Sequence, residues 1–292
     1  MSRFKTQLIN DYRLNKKQIF SPMIVFLIID LVAIISFLIF KANAGLEYSD
    51  IITMDIQVDD PGITSIADSF WYLIGMGILG FAGFVQVLVA LSLGNQALNL
   101  EKNQKCEIFY RSQPVSVWDY SLSKYIITIA GPIVILFIIG IINLVLVIPF
   151  ISQIVKFNFL DAVSGLSVSF LLYSRSILVL GSLAFLMSAI FKEKAFMKLV
   201  LITVSLQLII VFAHFSMDTP LLDLFGFIGK LINPLQGLKN MIDFNHMETV
   251  LDFRQAFTMK VLLFNWHSAL QVLASGVFFV LGVFIYSRKE IN

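Results

Sequence analysis

Asp30 and Arg175 are the two ionisable residues set near the middle of long apolar runs, Asp30 within residues 20–40 and Arg175 within residues 163–191. An unpaired charge at the centre of a bilayer costs about 2.5–3.5 kcal/mol on insertion scales, so two of opposite sign point to an intramembrane ion pair or to a polar path. As a pair they would clamp the first apolar run to the fourth; on a path they would face a translocated solute. Covalent chemistry has less to draw on. Intramembrane aspartyl proteolysis needs two buried carboxylates, and Asp30 has no second within the apolar runs. A zinc peptidase needs H-E-x-x-H, whereas His214, His246 and His267 are isolated. There is no G-x-S-x-G elbow and no G-x-x-x-x-G-K-[ST] phosphate loop. No catalytic residue and no metal site is therefore assigned, and the single cysteine, Cys106, rules out an intrachain disulfide framework and any multi-cysteine metal site.

Polar chemistry is concentrated instead in residues 101–126, EKNQKCEIFYRSQPVSVWDYSLSKYI. Glu101 precedes Lys105 and Glu107 precedes Arg111, each acid four residues N-terminal to its base, the order that supports a solvated helix. Gln113-Pro114 should end that helix, because proline disfavours the helical conformation in the residue before it. Ser116, followed three residues later by Asp119, reads as a capping box opening the next helix. The stretch predicts a short charged helix, a proline break and a new helix start.

The elements that position these residues are membrane spans. Hydrophobic residues make up 58% of the 292 and charged ones 14%, with 28 Phe, more apolar surface than one soluble core can bury. Apolar runs at 20–40, 71–93, 125–150, 163–191, 199–215 and 266–286 predict six transmembrane helices in an all-α integral membrane protein. Residues 1–19 carry Arg3, Lys5, Arg13, Lys16 and Lys17, with Phe4, Leu8, Tyr12 and Ile19 on one face, which predicts an amphipathic helix lying on the membrane surface. The first run exceeds the 7–15 residues of a cleaved signal, so Ala42-Asn43-Ala44 is read as following an uncleaved span. Residues 41–69 are acidic, with alternation over 54–58 that fits a small strand before Asp60-Pro61-Gly62. Gly75-Met76-Gly77-Ile78-Leu79-Gly80 is a literal G-x-G-x-x-G, but inside an apolar span with no preceding strand it predicts close helix packing, not dinucleotide binding. Lone amides such as Gln86 and Gln207 predict hydrogen bonds across helix interfaces.

Charge sets the orientation. Fourteen of the 21 Lys and Arg fall in 1–19, 94–124, 192–198 and 288–292, and six fall in the longer connecting segments on the other side. The positive-inside rule then places both termini in the cytoplasm. The reading is one transmembrane domain over 1–292, with an interfacial helix at 1–19, a cytoplasmic segment at 94–124 and an outer segment at 216–260 whose apolar part is broken by Gly226, Gly229 and Pro234. A net charge of +2 gives no case for nucleic-acid binding.

In the 101–126 stretch, Glu101, Glu107, Ser112, Pro114, Val115, Ser116, Ser123 and Lys124 stand where the permease subunit of type-two ABC exporters carries E-x-x-x-G-T-x-E-x-L, S-x-P-V-S and an S-K or G-K leading into helix three. Lys105-Cys106 replaces the Gly-Thr of that pattern. The sequence resembles that family, and the basic N-terminal helix, six spans and broken outer segment extend the likeness. The resemblance implies a multi-pass subunit of the cell (inner) membrane that forms a translocation pathway with a second copy or a paralogue. It also implies a separate cytoplasmic ABC ATPase holding ATP and Mg, docked on a coupling helix at Glu101, Lys105, Glu107, Arg111 and Pro114, while this chain itself is no enzyme. The alternative is an autonomous channel or secondary transporter, which predicts more polar groups along the spans or an internal repeat.

Overall fold

A computed structural model of the chain describes residues 3–43, 61–99, 116–146, 159–191, 195–217, 223, 226, 229 and 265–291. Six long helices make up the described chain: α1 (Arg3–Asn43), α2 (Pro61–Gln96), α3 (Val117–Leu146), α4 (Phe159–Ile190), α5 (Ala195–Met217) and α6 (Trp266–Ile291). Five of them, α1 to α4 and α6, are long and apolar enough to cross a membrane, and α5 carries a shorter apolar stretch, Met197–Phe212. The chain is a helical membrane protein. The strand expected at 54–58, the charged helix at 101–112 and nearly all of the 216–260 segment lie outside the described residues.

Helix boundaries follow local chemistry. Ser116 Oγ accepts the Asp119 N–H at 3.0 Å and the Ser116 carbonyl accepts Tyr120 N–H at 3.0 Å, so the cap read from the sequence starts α3. Asn265 does the same for α6, taking the His267 N–H on its Oδ1 at 3.1 Å and the Ser268 N–H on its carbonyl at 3.0 Å. Pro61 is the first residue of α2, where its missing N–H costs nothing. That start is ten residues before the apolar run at 71–93.

The N-terminal region departs from expectation. Among the described residues no separate surface helix precedes the first span: α1 is continuous over 41 residues, about 61 Å at 1.5 Å per residue against a hydrocarbon core of about 30 Å. Pro22 does not break it. The Gln18 carbonyl, which a proline four residues on cannot satisfy, receives the Ser21 hydroxyl at 3.4 Å. One seam of Gln7, Asp11, Ile19, Pro22, Phe26 and Asp30 stays buried across the boundary, so the same face packs inward from end to end. Of the Phe4, Leu8, Tyr12 and Ile19 face chosen by apolarity, Ile19 lies in this seam, Phe4 and Leu8 are half-buried and Tyr12 is exposed.

α2 and α4 form the closest pair, running parallel. A Cβ at Gly75 would strike the Ala162 carbonyl and come within 2.9 Å of Leu166 N; one at Gly83 would enter the Tyr173 ring, and one at Gly94 would lie 2.8 Å from Ala184 Cβ. Gly165 of α4 meets the Tyr72 carbonyl in the same way. Glycine is required at these crossings because backbones approach where a side chain cannot fit. Packing is therefore what the glycines do, although Gly77 has nothing within 4 Å of its would-be Cβ.

Contacts along the helices fix their senses. Asp11 meets Lys124 and Ile19 meets Gly131, so α1 and α3 are parallel. Gln18 bonds Ser92 while Phe26 packs on Phe81, so α1 and α2 are antiparallel. Tyr125 reaches Ser182 and Phe137 reaches Phe170, making α3 and α4 antiparallel, and Arg175 to Gln271 with Ala189 to Lys289 makes α4 and α6 parallel. The starts of α1 and α3 and the ends of α2, α4 and α6 thus gather at one end of the bundle. The core between α1, α2, α3 and α4 is built on Ile19, Leu79, Ala82, Ala90, Ile135, Leu136, Ile139 and Ile177. The outward faces remain apolar, as bilayer-facing helices require.

Candidate functional site at one end of the bundle

Asp11 is the centre of a buried polar cluster at the end where five helix termini gather. Its carboxylate is fully buried, with Lys124 Nζ 3.3 Å from Oδ1 and both side chains almost wholly enclosed. Gln7 Nε2, one turn earlier on α1, donates to both carboxylate oxygens at 3.3 Å, and Ser123 Oγ donates to Oδ2. The Lys124 ammonium also lies 4.7 Å from the centre of the Tyr120 ring. Asn15 Nδ2 donates to the Asp11 carbonyl at 2.9 Å, and Gln18 Nε2 to Ser92 Oγ at 2.7 Å. A buried ion pair is supported only when its remaining donors and acceptors are also met, and at the carboxylate Gln7 and Ser123 do this. The cluster ties the first turns of α1 to the first turns of α3.

The second anchor is the C-terminus of α4. The last four carbonyls of a helix have no intrahelical donor, and here residues 188–191 all find one from another element. Asn99, just beyond α2, donates to the Ser188 and Phe191 carbonyls at 2.8 Å each. Lys289, in the last turn of α6, donates to the Ala189 carbonyl at 2.8 Å and to that of Ile190. A cation at this position also opposes the negative end of the helix dipole. Aromatic rings pack beside it: Tyr120 stacks on Tyr286 at 5.9 Å, and Tyr125 lies 4.6 Å from Phe279 and 5.5 Å from Phe185. The Tyr125 hydroxyl shares a hydrogen bond of 2.8 Å with Ser182 Oγ.

Residues 100–115 connect these two anchors, from Asn99 to the Ser116 cap. Glu101, Lys105, Glu107, Arg111 and Pro114, the residues assigned to a coupling surface, lie outside the described residues. Both flanks of the segment are nonetheless fastened, one to the end of α4 and the other, through Ser123 and Lys124, to α1.

The expected intramembrane pair is corrected. Asp30 and Arg175 do not meet: Arg175 Nε and Nη2 donate to Gln271 Oε1 at 2.9 and 2.6 Å, while Asp30 Oδ2 is buried with no hydrogen-bond partner among the described residues. The reason is helix arrangement. α1 packs on α3 and α2, whereas Arg175 turns to α6. Gln86 also departs from expectation, since both of its amide atoms are buried without a partner among the described residues.

Two features of the site are not in the sequence reading. Gln7, Asp11, Asn15 and Gln18 recur at helical spacing beside the basic face of α1, a polar stripe that marks a packed polar seam. Ser268, Gln271 and Ser275 form a similar stripe on α6, and all three are buried. Comparisons with known proteins identify no relative: no family model matches the chain, and neither a curated protein nor a solved structure does.

Proposed function

We propose that the chain is the transmembrane subunit of an ATP-binding-cassette exporter, coupled through residues 101–114 to a separate cytoplasmic ATPase that binds ATP and Mg. In this reading α5 completes six spans, both termini are cytoplasmic, and a second copy or a paralogue supplies the other half of the translocation pathway. The observation that carries the reading is the fastening of both flanks of the segment, Asn99 on the α4 terminus and Lys124 on Asp11. A charged helix held at both ends by buried polar contacts passes a rigid-body shift into several spans, which a loosely attached loop does not. The excess of Lys and Arg on the segments at this bundle end supports a cytoplasmic location for it.

The test is affinity purification of the tagged full-length chain from its native host in mild detergent, with Glu107→Arg purified in parallel. A soluble ATPase that accompanies the wild-type chain and is depleted from the variant is the expected result. If neither preparation carries an ATPase and the wild-type chain alone moves solute across vesicle membranes, the chain is an autonomous transporter.

A further inference from the structure

We propose that a cavity between α2, α3 and α4 is a binding site for one acyl chain of a bilayer phospholipid. The cavity, about 350 Å³, is walled by Leu79 of α2, Phe137, Gly140 and Ile141 of α3, and Leu166 and Phe170 of α4. Its one side-chain hydroxyl is that of Ser167. α3 and α4 touch where Tyr125 meets Ser182 and where Phe137 meets Phe170. Beyond that ring pair the cavity opens between them, with Leu79 against Gly140 as its floor.

Three observations select the occupant. Phe137 lies 13 residues beyond Lys124, roughly 20 Å along the axis, which sets the cavity in the far half of the hydrocarbon layer. Its apolar lining offers water too few hydrogen-bond partners to hold it there. Its mouth, at the exposed Phe137 and Ile141, continues the lipid-facing stripe of Val134 and Val145 on α3. The opening is therefore continuous with the surface already facing acyl chains. A hydrocarbon chain entering sideways meets apolar walls interrupted by the one hydroxyl of Ser167, and its headgroup stays in the interface.

The experiment uses the full-length chain in phosphatidylethanolamine–phosphatidylglycerol vesicles doped with a phosphatidylcholine bearing a diazirine on one acyl chain. After photolysis, adducts are mapped by mass spectrometry. Labelling of residues 163–171 in excess of that on the lipid-exposed Leu206, Leu208 and Ile209 of α5 is expected. That excess should be lost in Gly140→Phe and in Ser167→Phe, while α5 labelling is unchanged. A Cβ at Gly140 meets Leu79 at 3.5 Å, ordinary contact, so the first variant begins without a clash at its Cβ; the second fills the cavity from α4 and stands independently if the first misfolds. No excess in the wild-type chain, or an excess that survives in both variants, overturns the assignment.

Discussion

Asp11 is an acid in a helix start otherwise rich in Lys and Arg, and its environment gives it a role its neighbours lack. Lys5, Arg13, Lys16 and Lys17 are exposed, whereas Asp11 is enclosed by Gln7, Ser123 and Lys124. Removing one partner of such a pair leaves a buried charge unmatched. Lys124→Ala should destabilise the chain by about 3–5 kcal/mol. Asp11→Asn combined with Lys124→Met, which removes both charges and nearly keeps the volume, should recover most of that loss. Thermal unfolding of the purified chain in detergent, run as a double-mutant cycle, measures both; a double variant no more stable than Lys124→Ala would argue against the pair. Lys124 was legible from the sequence as the residue leading into the third span. Its partner was not, because Asp11 lies 113 residues away and only the parallel contact of α1 with α3 brings the two together.

At the scale of the helix, the glycines of α2 divide into those that close a crossing and those that do not. Gly75→Val should lower stability by about 1–3 kcal/mol, because the added carbon meets the α4 backbone at Ala162 and backbone cannot move aside. Gly77→Val, two residues on within the same G-x-G-x-x-G, should change it by less than about 0.5 kcal/mol, because it faces open space. Melting temperatures of the two variants compared with the parent chain check this, and equal losses would contradict the α2–α4 register. Apolar context alone separates packing from nucleotide binding in this motif. Which glycine carries the crossing depends on rotation about the helix axis, which a run apolar on all sides does not reveal. The same difficulty arises at the start of α1: its buried seam begins with Gln7 and Asp11, polar residues that a face chosen by apolarity leaves out, although that face keeps Ile19.

Across the whole molecule, the alternation of helix senses brings the start of α1 and the end of α6 to one end of the bundle. In a Cys106→Ser background, single cysteines introduced as Lys5→Cys and Arg288→Cys should react with a membrane-impermeant maleimide from the same side of the membrane. Asp55→Cys, in the connection between α1 and α2, should react from the opposite side. Labelling of Lys5→Cys and Arg288→Cys from opposite faces would contradict the arrangement. Asn99 and Lys289 together satisfy four carbonyls of α4, so this terminus is tied at once to the segment after α2 and to the last turn of α6.

The amino-acid sequence by itself determined that this is a helical membrane protein, where most helices run, and that Ser116 starts α3. Each of these depends on composition, on hydropathy over about 20 residues, or on a hydrogen bond spanning three positions, all local quantities. Only the tertiary structure decided the partners. Arg175 binds Gln271 and not Asp30, Lys124 binds Asp11, and four carbonyls of α4 are capped from elements before and after it in the chain. The physical reason is that opposite charges and unmet polar groups name the kind of partner required. Which partner is within reach depends on the order and rotation of packed helices, and so on backbone approach at residues such as Gly75, Gly94 and Gly165.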